Sequence, residues 1–239
     1  MEIFGIRAVM EAINSSKDID KVFIQIGLKG SLISTLESII RKNKINFSYV
    51  PKQKLDRLSK KNHQGVIARI SPIKLLDLNQ IDSIIADNGA PLLLILDQIN
   101  DVRNFGAIIR TAEVAGVTAV IIQNSSSAPI NSDTIKTSAG AIFNIPICKV
   151  NHIKDAIYHF KSLGISIVSA SEKSDKNLYD TDFKKPVAIV IGSENKGINK
   201  SVLKISDEIV KLPMYGKIES LNVSVASGIF LYEAIRQRI

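Results

Sequence analysis

From Leu92 onward the chain alternates strand-length apolar runs with segments of helical spacing, and no other feature of the sequence restricts the fold as tightly. The run "LLLILD" (92–97) is apolar without interruption, as a strand covered on both faces is. It leads into "NFGAIIRTAEVAG", where Phe105, Ile108, Ile109 and Ala112 recur at helical spacing. Strand "TAVII", a polar loop "QNSSSAPINSD", a short helix, strand "IPICKV", helix "IKDAIYHFKSLG" and strand "SIVSA" come next. Strand "PVAIVIG", a short helix near "NKSVLKI", strand "EIVKLPM" and a closing helix complete the chain. Such repetition predicts an α/β fold with a mainly parallel sheet between helices. Ligands in these sheets gather beyond the carboxyl ends of the strands, so function is expected in the loops that begin there.

The first 71 residues predict a separate, small α/β module. "GIRAVMEAIN" and "LISTLESIIRKN" have helical spacing, the second with Leu32, Leu36, Ile39 and Ile40 on one side. "KVFIQIG", "INFSYV" and "GVIARI" read as strands, and "KQKLDRLSKK" as a short basic helix. Residues 72–90 read as a linker carrying one helix, between Pro72 and Gly89-Ala90-Pro91, and 91–239 as the second domain. The formal charge of +8 is concentrated at the front, where residues 1–71 hold 13 Lys+Arg against 6 Asp+Glu and the rest hold 18 against 17. Eight cations, Arg41, Lys42, Lys44, Lys52, Lys54, Arg57, Lys60 and Lys61, crowd into residues 41–61 against Asp56 alone. That cluster fits the phosphates of a polyanion, and it fits a solvated, solubilising face equally well.

Several classes are disfavoured. No apolar run reaches membrane-spanning length, and no basic segment followed by an apolar stretch opens the chain. A cytoplasmic protein is expected. One cysteine, Cys148, and three scattered histidines give no expectation of a disulfide or a metal site. No G-x-G-x-x-G follows the first strand of the second domain, no G-x-x-x-x-G-K-[ST] occurs, and no G-x-S-x-G elbow is present.

Three glycine-containing loops remain. In "LDQINDVRNFGAIIR" (96–110), Asn104 reads as a helix cap or a ligand contact, and Arg110 as a partner of Glu113 or of a ligand. Asn104 and Arg110 are six residues apart, roughly 120° around a helix, and face one target only if Asn104 lies in the loop. In "VAIVIGSENKGINKSV" (187–202), Gly192 and Gly197 bracket Glu194 in a tight turn with exposed amides. In "LPMYGKIESLNVSVASG" (212–228), Leu212 to Met214 read as a strand end and Ser220 as the cap of the closing helix. The small residues Ser224, Ala226, Ser227 and Gly228 then permit a close approach by the sheet, a cofactor or a second subunit.

Taken in order, "NFGAIIR", "IVIGSENKG" and "LPMYGKIESLNVSVASG" resemble the three motifs of the SpoU-type RNA ribose 2′-O-methyltransferases of the SPOUT superfamily, and "GIRAVMEAI" and "NHQGVIA" resemble the small substrate-binding domain of its ribosomal RNA branch. The resemblance spans nearly the whole chain and is closest to the enzymes acting on guanosine in large-subunit (23S) ribosomal RNA. It implies a C-terminal trefoil knot, S-adenosylmethionine as cofactor, a homodimer formed through the C-terminal domain, and ribosomal RNA as partner. It implies a cofactor pocket lined by Gly192, Leu212, Leu221, Ile191 and Met214, and an active site of Asn104, Arg110, Glu194, Ser220 and Asn222. The first motif of the family often carries Asp-Pro-x-Asn-Leu-Gly; here it is Asp101-Val102-Arg103-Asn104-Phe105-Gly106, and Arg103 is expected to add a phosphate contact. Methylation of transfer RNA or another ribosomal position, or an idle RNA-binding or ribosome-assembly role, are the alternatives.

Overall fold

The computed structural model describes the chain except residues 1, 15–17, 61, 72, 195 and 219 and the side chains of Glu11 and Ser132. It divides into two compact units, Met1–Lys74 and Leu75–Ile239.

In the first unit the order is β1 (Glu2–Phe4), α1 (Ile6–Asn14), β2 (Ile19–Gln25), α2 (Ser31–Lys42), β3 (Phe47–Val50), α3 (Lys52–Leu58) and β4 (Val66–Ile70). The sheet runs β1-β4-β2-β3, with β4 antiparallel to both of its neighbours and β2 parallel to β3. Alternation along β2 and β4 sends Val22, Ile24, Val66 and Ala68 to one face, against Val9 and Ile13 of α1 and Ile33, Leu36 and Ile40 of α2. Phe23 and Ile67 point the other way, under Leu55 of α3. The buried stripe of α2 is therefore Ile33, Leu36 and Ile40; Leu32, expected there, is 42% exposed, because Ile33 sets the helical phase. The three-residue β1 was not foreseen: "EIF" is too short to show a period, and pairing with β4 makes it a strand. The basic run is divided by this fold. Arg41, Lys42 and Lys44 lie at the end of α2, on the α1/α2 side of the sheet, while Lys52, Lys54 and Arg57 ride on α3 on the opposite side. All six are exposed, as is Lys60; Lys61 lies outside the described residues.

The second unit contains α4 (Leu78–Ala86), β5 (Leu92–Asp97), α5 (Val102–Val114), β6 (Ala119–Gln123), α6 (Ser132–Thr137), β7 (Ile147–Val150), α7 (Ile153–Ser162), β8 (Ser166–Ala170), β9 (Val187–Gly192), α8 (Lys200–Leu203), β10 (Glu208–Val210) and α9 (Val223–Arg238). Its sheet is parallel throughout, in the order β10-β8-β9-β5-β6-β7. β5 and β9, adjacent at the centre, are buried along their whole length, as their unbroken apolar sequences require. The segment before β5 does more than connect. A capping box of Asp77 and Gln80 starts α4, and Ile81 is fully buried with Leu93, Ile121 and Phe160. Leu76 exchanges backbone hydrogen bonds with β7, donating to Ile147 O and accepting from Lys149 N.

Two expectations about the third loop are corrected. β10 ends at Val210, so Leu212 to Met214 are not a strand end; only Lys211 adds a bridge, to Asn177, before the chain leaves the sheet. The cap of α9 is Asn222, whose Oδ1 accepts from Ser224 N at 2.9 Å; Ser220 stands outside the helix. The small residues of α9 face another helix and the cavity described below rather than the sheet alone. A Cβ on Gly228 would sit 3.6 Å from Thr111 Cγ2 of α5, and Ser227 is buried with its hydroxyl donating to Val223 O. Among the described residues no helix is long and apolar enough to cross a membrane.

Candidate active site

The central strands carry the first two loops out of the sheet side by side, because Asp97 at the end of β5 pairs in register with Gly192 at the end of β9. Asp97 is 2% exposed, and its Oδ2 accepts from Asn199 N at 2.7 Å, tying the return of the second loop to the start of the first. Burial raises the Asp97 carboxyl above the usual range, against the Asn199 amide and the Gln98 side chain, which pull it down. The turn between Gly192 and Gly197 is closed by Gly197 N donating to Ser193 O at 2.8 Å. Gly192 leaves no room for a side chain: a Cβ there would lie 2.2 Å from the Gly197 carbonyl carbon and 2.3 Å from Ile198 N. Gly197 supplies the left-handed conformation at φ +64°.

Asn222 gathers all three loops. Its Nδ2 donates to Glu194 Oε1 at 2.7 Å and to Asn104 Oδ1 at 3.1 Å, while its Oδ1 caps α9. Asn104 in turn is held by the start of α5, where Asp101 Oδ1 accepts from Arg103 N and Asn104 N at 2.9 and 2.8 Å. A cavity of about 180 Å³ opens at Asn104, Glu194, Lys196 and Asp101. A second, of about 310 Å³, lies beside it and shares Ser193, Glu194, Lys196 and Val223. Ile191, Gly192, Leu212, Met214, Ser220 and Leu221 all line this larger cavity, with Ala226 and Phe230 of α9. Met214 and Leu221 are 38% and 41% exposed, apolar side chains that a ligand in the cavity would cover.

Arg110 is not part of this cluster. α5 begins at Val102, so Asn104 sits in its first turn rather than in the preceding loop. Arg110 is then about 9 Å further along the axis and about 120° around it, exposed, lining neither cavity and, among the described residues, without a hydrogen bond or ion pair. The condition under which the two would face one target is not met within one chain. Arg103 is exposed on the same first turn. The end of β8 and the loop after it, Ala170 to Lys173, also line the larger cavity and carry no motif. They arrive there because β8 neighbours β9 in the sheet, an adjacency that the order of strands in the sequence does not reveal.

Residues 91–232 match the SpoU rRNA Methylase family, and residues 3–76 match the RNA 2′-O ribose methyltransferase substrate binding family. The 23S rRNA (guanosine-2′-O-)-methyltransferase RlmB of Vibrio vulnificus is 37% identical over 243 residues, covering 99% of this chain and 97% of the relative. The protein of the same name from Xanthomonas campestris pv. campestris is 36% identical over 240 residues, covering 99% and 96%. Among solved structures, the SpoU methyltransferase AviRb from Streptomyces viridochromogenes in complex with AdoMet superposes with a TM-score of 0.63 at 24% identity, covering 100% of this chain and 90% of the other. The A. aeolicus TrmH/SpoU tRNA modifying enzyme superposes with a TM-score of 0.58 at 32% identity, covering 67% and 82%.

Proposed function

This chain belongs to the SpoU rRNA methylase family, and from that membership we propose that it transfers a methyl group from S-adenosylmethionine to the ribose 2′-hydroxyl of a guanosine in 23S ribosomal RNA. The observation that carries the proposal is Asn222, which joins Asn104 and Glu194 at the rim of a cavity lined by Ile191, Gly192, Leu212, Met214 and Leu221. The cavity suits the cofactor. Its volume of about 310 Å³ stands at the lower end of small-molecule sites, roughly 300–1,000 Å³. Its leucine, methionine and phenylalanine walls match a purine, and the polar Gly192–Gly197 turn matches the amino-acid end. When bound there, the sulfonium supplies an electrophilic methyl carbon.

The residues of the chain do the positioning. Asn222 and Glu194 hold the three loops so that the mouth of the cavity and Asn104 stay side by side. Asn104 and Ser220, at the two openings, orient the ribose. Arg110 anchors a phosphate of the target and stabilises the oxyanion that develops on its 2′ oxygen; a guanidinium keeps its proton at neutral pH, so its part is charge rather than proton abstraction. Orientation of this kind can supply as much as about 7–11 kcal/mol of a barrier in ideal cases.

The first unit holds the RNA through its cations, including Arg41, Lys42, Lys44, Lys52, Lys54, Arg57 and Lys60, and Arg103 adds a contact from α5. The active form is a cytoplasmic homodimer joined through the second unit; half-exposed Val225 and Tyr232, seven residues apart on α9, support this. The loops at the cavity form the trefoil knot of the family. Purified protein incubated with labelled S-adenosylmethionine should methylate 23S ribosomal RNA at a guanosine ribose, mapped by resistance to alkaline cleavage. Arg110→Ala should abolish transfer and leave cofactor affinity near wild type. Methylation of transfer RNA only, or of no RNA, would overturn the proposal.

A further inference from the structure

Three cations from three separate elements meet over one ring in the first unit. Lys21 Nζ of β2, Lys54 Nζ of α3 and the Arg69 guanidinium carbon of β4 lie 5.6, 5.7 and 5.5 Å from the centre of the Phe23 ring. No two of them can therefore be further apart than about two such radii, a separation at which physiological salt, with a screening length of about 8 Å, leaves part of their repulsion in place. The sheet register makes the crowding sharper: Lys21 and Arg69 are direct partners across the antiparallel β2/β4 pair. Like charges directly opposite on neighbouring strands repel, while each of the three lies within cation–π reach of the buried Phe23 ring. Glu2 reaches Arg69 at 3.9 Å, the outer limit of an ion pair. Phe23 is itself 6% exposed, so it serves as a floor that spaces the cations rather than as a stacking surface.

We propose that Lys21, Lys54 and Arg69 form a phosphate-binding site for an RNA strand on the α3 side of the first sheet. The inference rests on the methyltransferase reading above and goes beyond it by placing the strand. Only Lys54 belongs to the basic run at 41–61; Lys21 and Arg69 are brought to it by strand pairing. An anion placed among the three would accept charge-assisted hydrogen bonds from two ammonium groups and a guanidinium fork.

The test uses the full-length protein and a 23S ribosomal RNA fragment that it methylates. Affinity is measured against salt for wild type, for Lys21→Gln/Lys54→Gln/Arg69→Gln, and for Arg41→Gln/Lys42→Gln/Lys44→Gln, which removes the same charge from the other side of the sheet. For single strands, log affinity against log salt has a slope of about −0.7 per phosphate neutralised, or about fivefold in affinity per phosphate at roughly 0.1 M salt. The first triple variant should lose at least that factor and flatten the slope by about 0.7, raise KM for RNA, and leave kcat at saturating RNA and cofactor affinity unchanged. Thermal unfolding checks that the variant is folded; if its midpoint falls, Lys21→Gln alone gives the comparison. A first variant that loses no more affinity than the second overturns the site while leaving the methyltransferase reading intact. A wild-type protein that methylates no RNA overturns both.

Discussion

Asn222 does two jobs with opposite ends of one amide, and substitution can separate them. Its Oδ1 caps α9 through Ser224 N, and its Nδ2 ties Glu194 and Asn104 together. Serine caps a helix about as well as asparagine but cannot reach out with an amide donor. Asn222→Ser should therefore keep the cap, worth about 1 kcal/mol, and lose the two ties. Those ties are exposed, so their loss should cost no more than about 1 kcal/mol of stability between them. Asn222→Ala should lose both, about 2 kcal/mol. For a unit of this size 1 kcal/mol moves the thermal midpoint by about 2–4 °C, which gives a fall of about 2–4 °C for serine and roughly twice that for alanine. Catalysis should respond otherwise. Misplacing a reacting group by about 1 Å can cost about a hundredfold, and both variants release the same contacts, so both should lose about that factor in kcat. Thermal unfolding followed by circular dichroism and single-turnover methyl transfer at saturating RNA measure the two effects. Wild-type turnover in Asn222→Ser would refute the reasoning, because the three loops would then not need this side chain to form one site.

Gly192→Ala should abolish cofactor binding, measured by calorimetry, and destabilise the second unit by about 1–3 kcal/mol, because the new methyl would lie 2.2 Å from backbone at Gly197 that cannot yield without opening the turn. Cys148 is fully buried and its thiol is pushed up to about 12, chiefly by burial and then by Asp77 and Asp82; a thiol reagent at pH 8 should leave the native protein unmodified and label one cysteine after denaturation. Glu233 is held below the ordinary glutamate range by the Arg236 hydrogen bonds, against burial and with help from Gln237. A depressed carboxylate stabilises the fold above its unfolded value, about pH 4.3, and loses that contribution as pH falls through the folded value. Glu233→Gln should thus lower the thermal midpoint at pH 7, and the gap to wild type should close as the pH falls below the unfolded value and through the depressed folded one.

The elements that the sequence displays clearly are those whose burial is decided by local period. β5 and β9 are apolar without a break, and both are central strands. The stripe of Phe105, Ile108, Ile109 and Ala112 is the buried face of α5. Elements decided by partners elsewhere were misread or missed. "EIF" becomes a strand because β4 lies beside it, the strand expected to reach Met214 stops at Val210, where the pairing with β8 stops, and the α9 cap falls to Asn222 rather than Ser220.

The site divides in the same way. Sequence by itself determined which residue types are present and that three glycine-bearing loops follow strands, because turns, caps and apolar periods are written within a few residues of the chain. Only the tertiary structure decided that Asn104, Glu194 and Asn222 meet, that the loop after β8 joins the cavity, and that Arg110 stands apart from them. It also decided that Lys21 and Arg69, 48 residues apart, face each other across a strand pair. Those contacts depend on the order of strands in a sheet and on the register between them, and neither is fixed by any short-range property of the polypeptide.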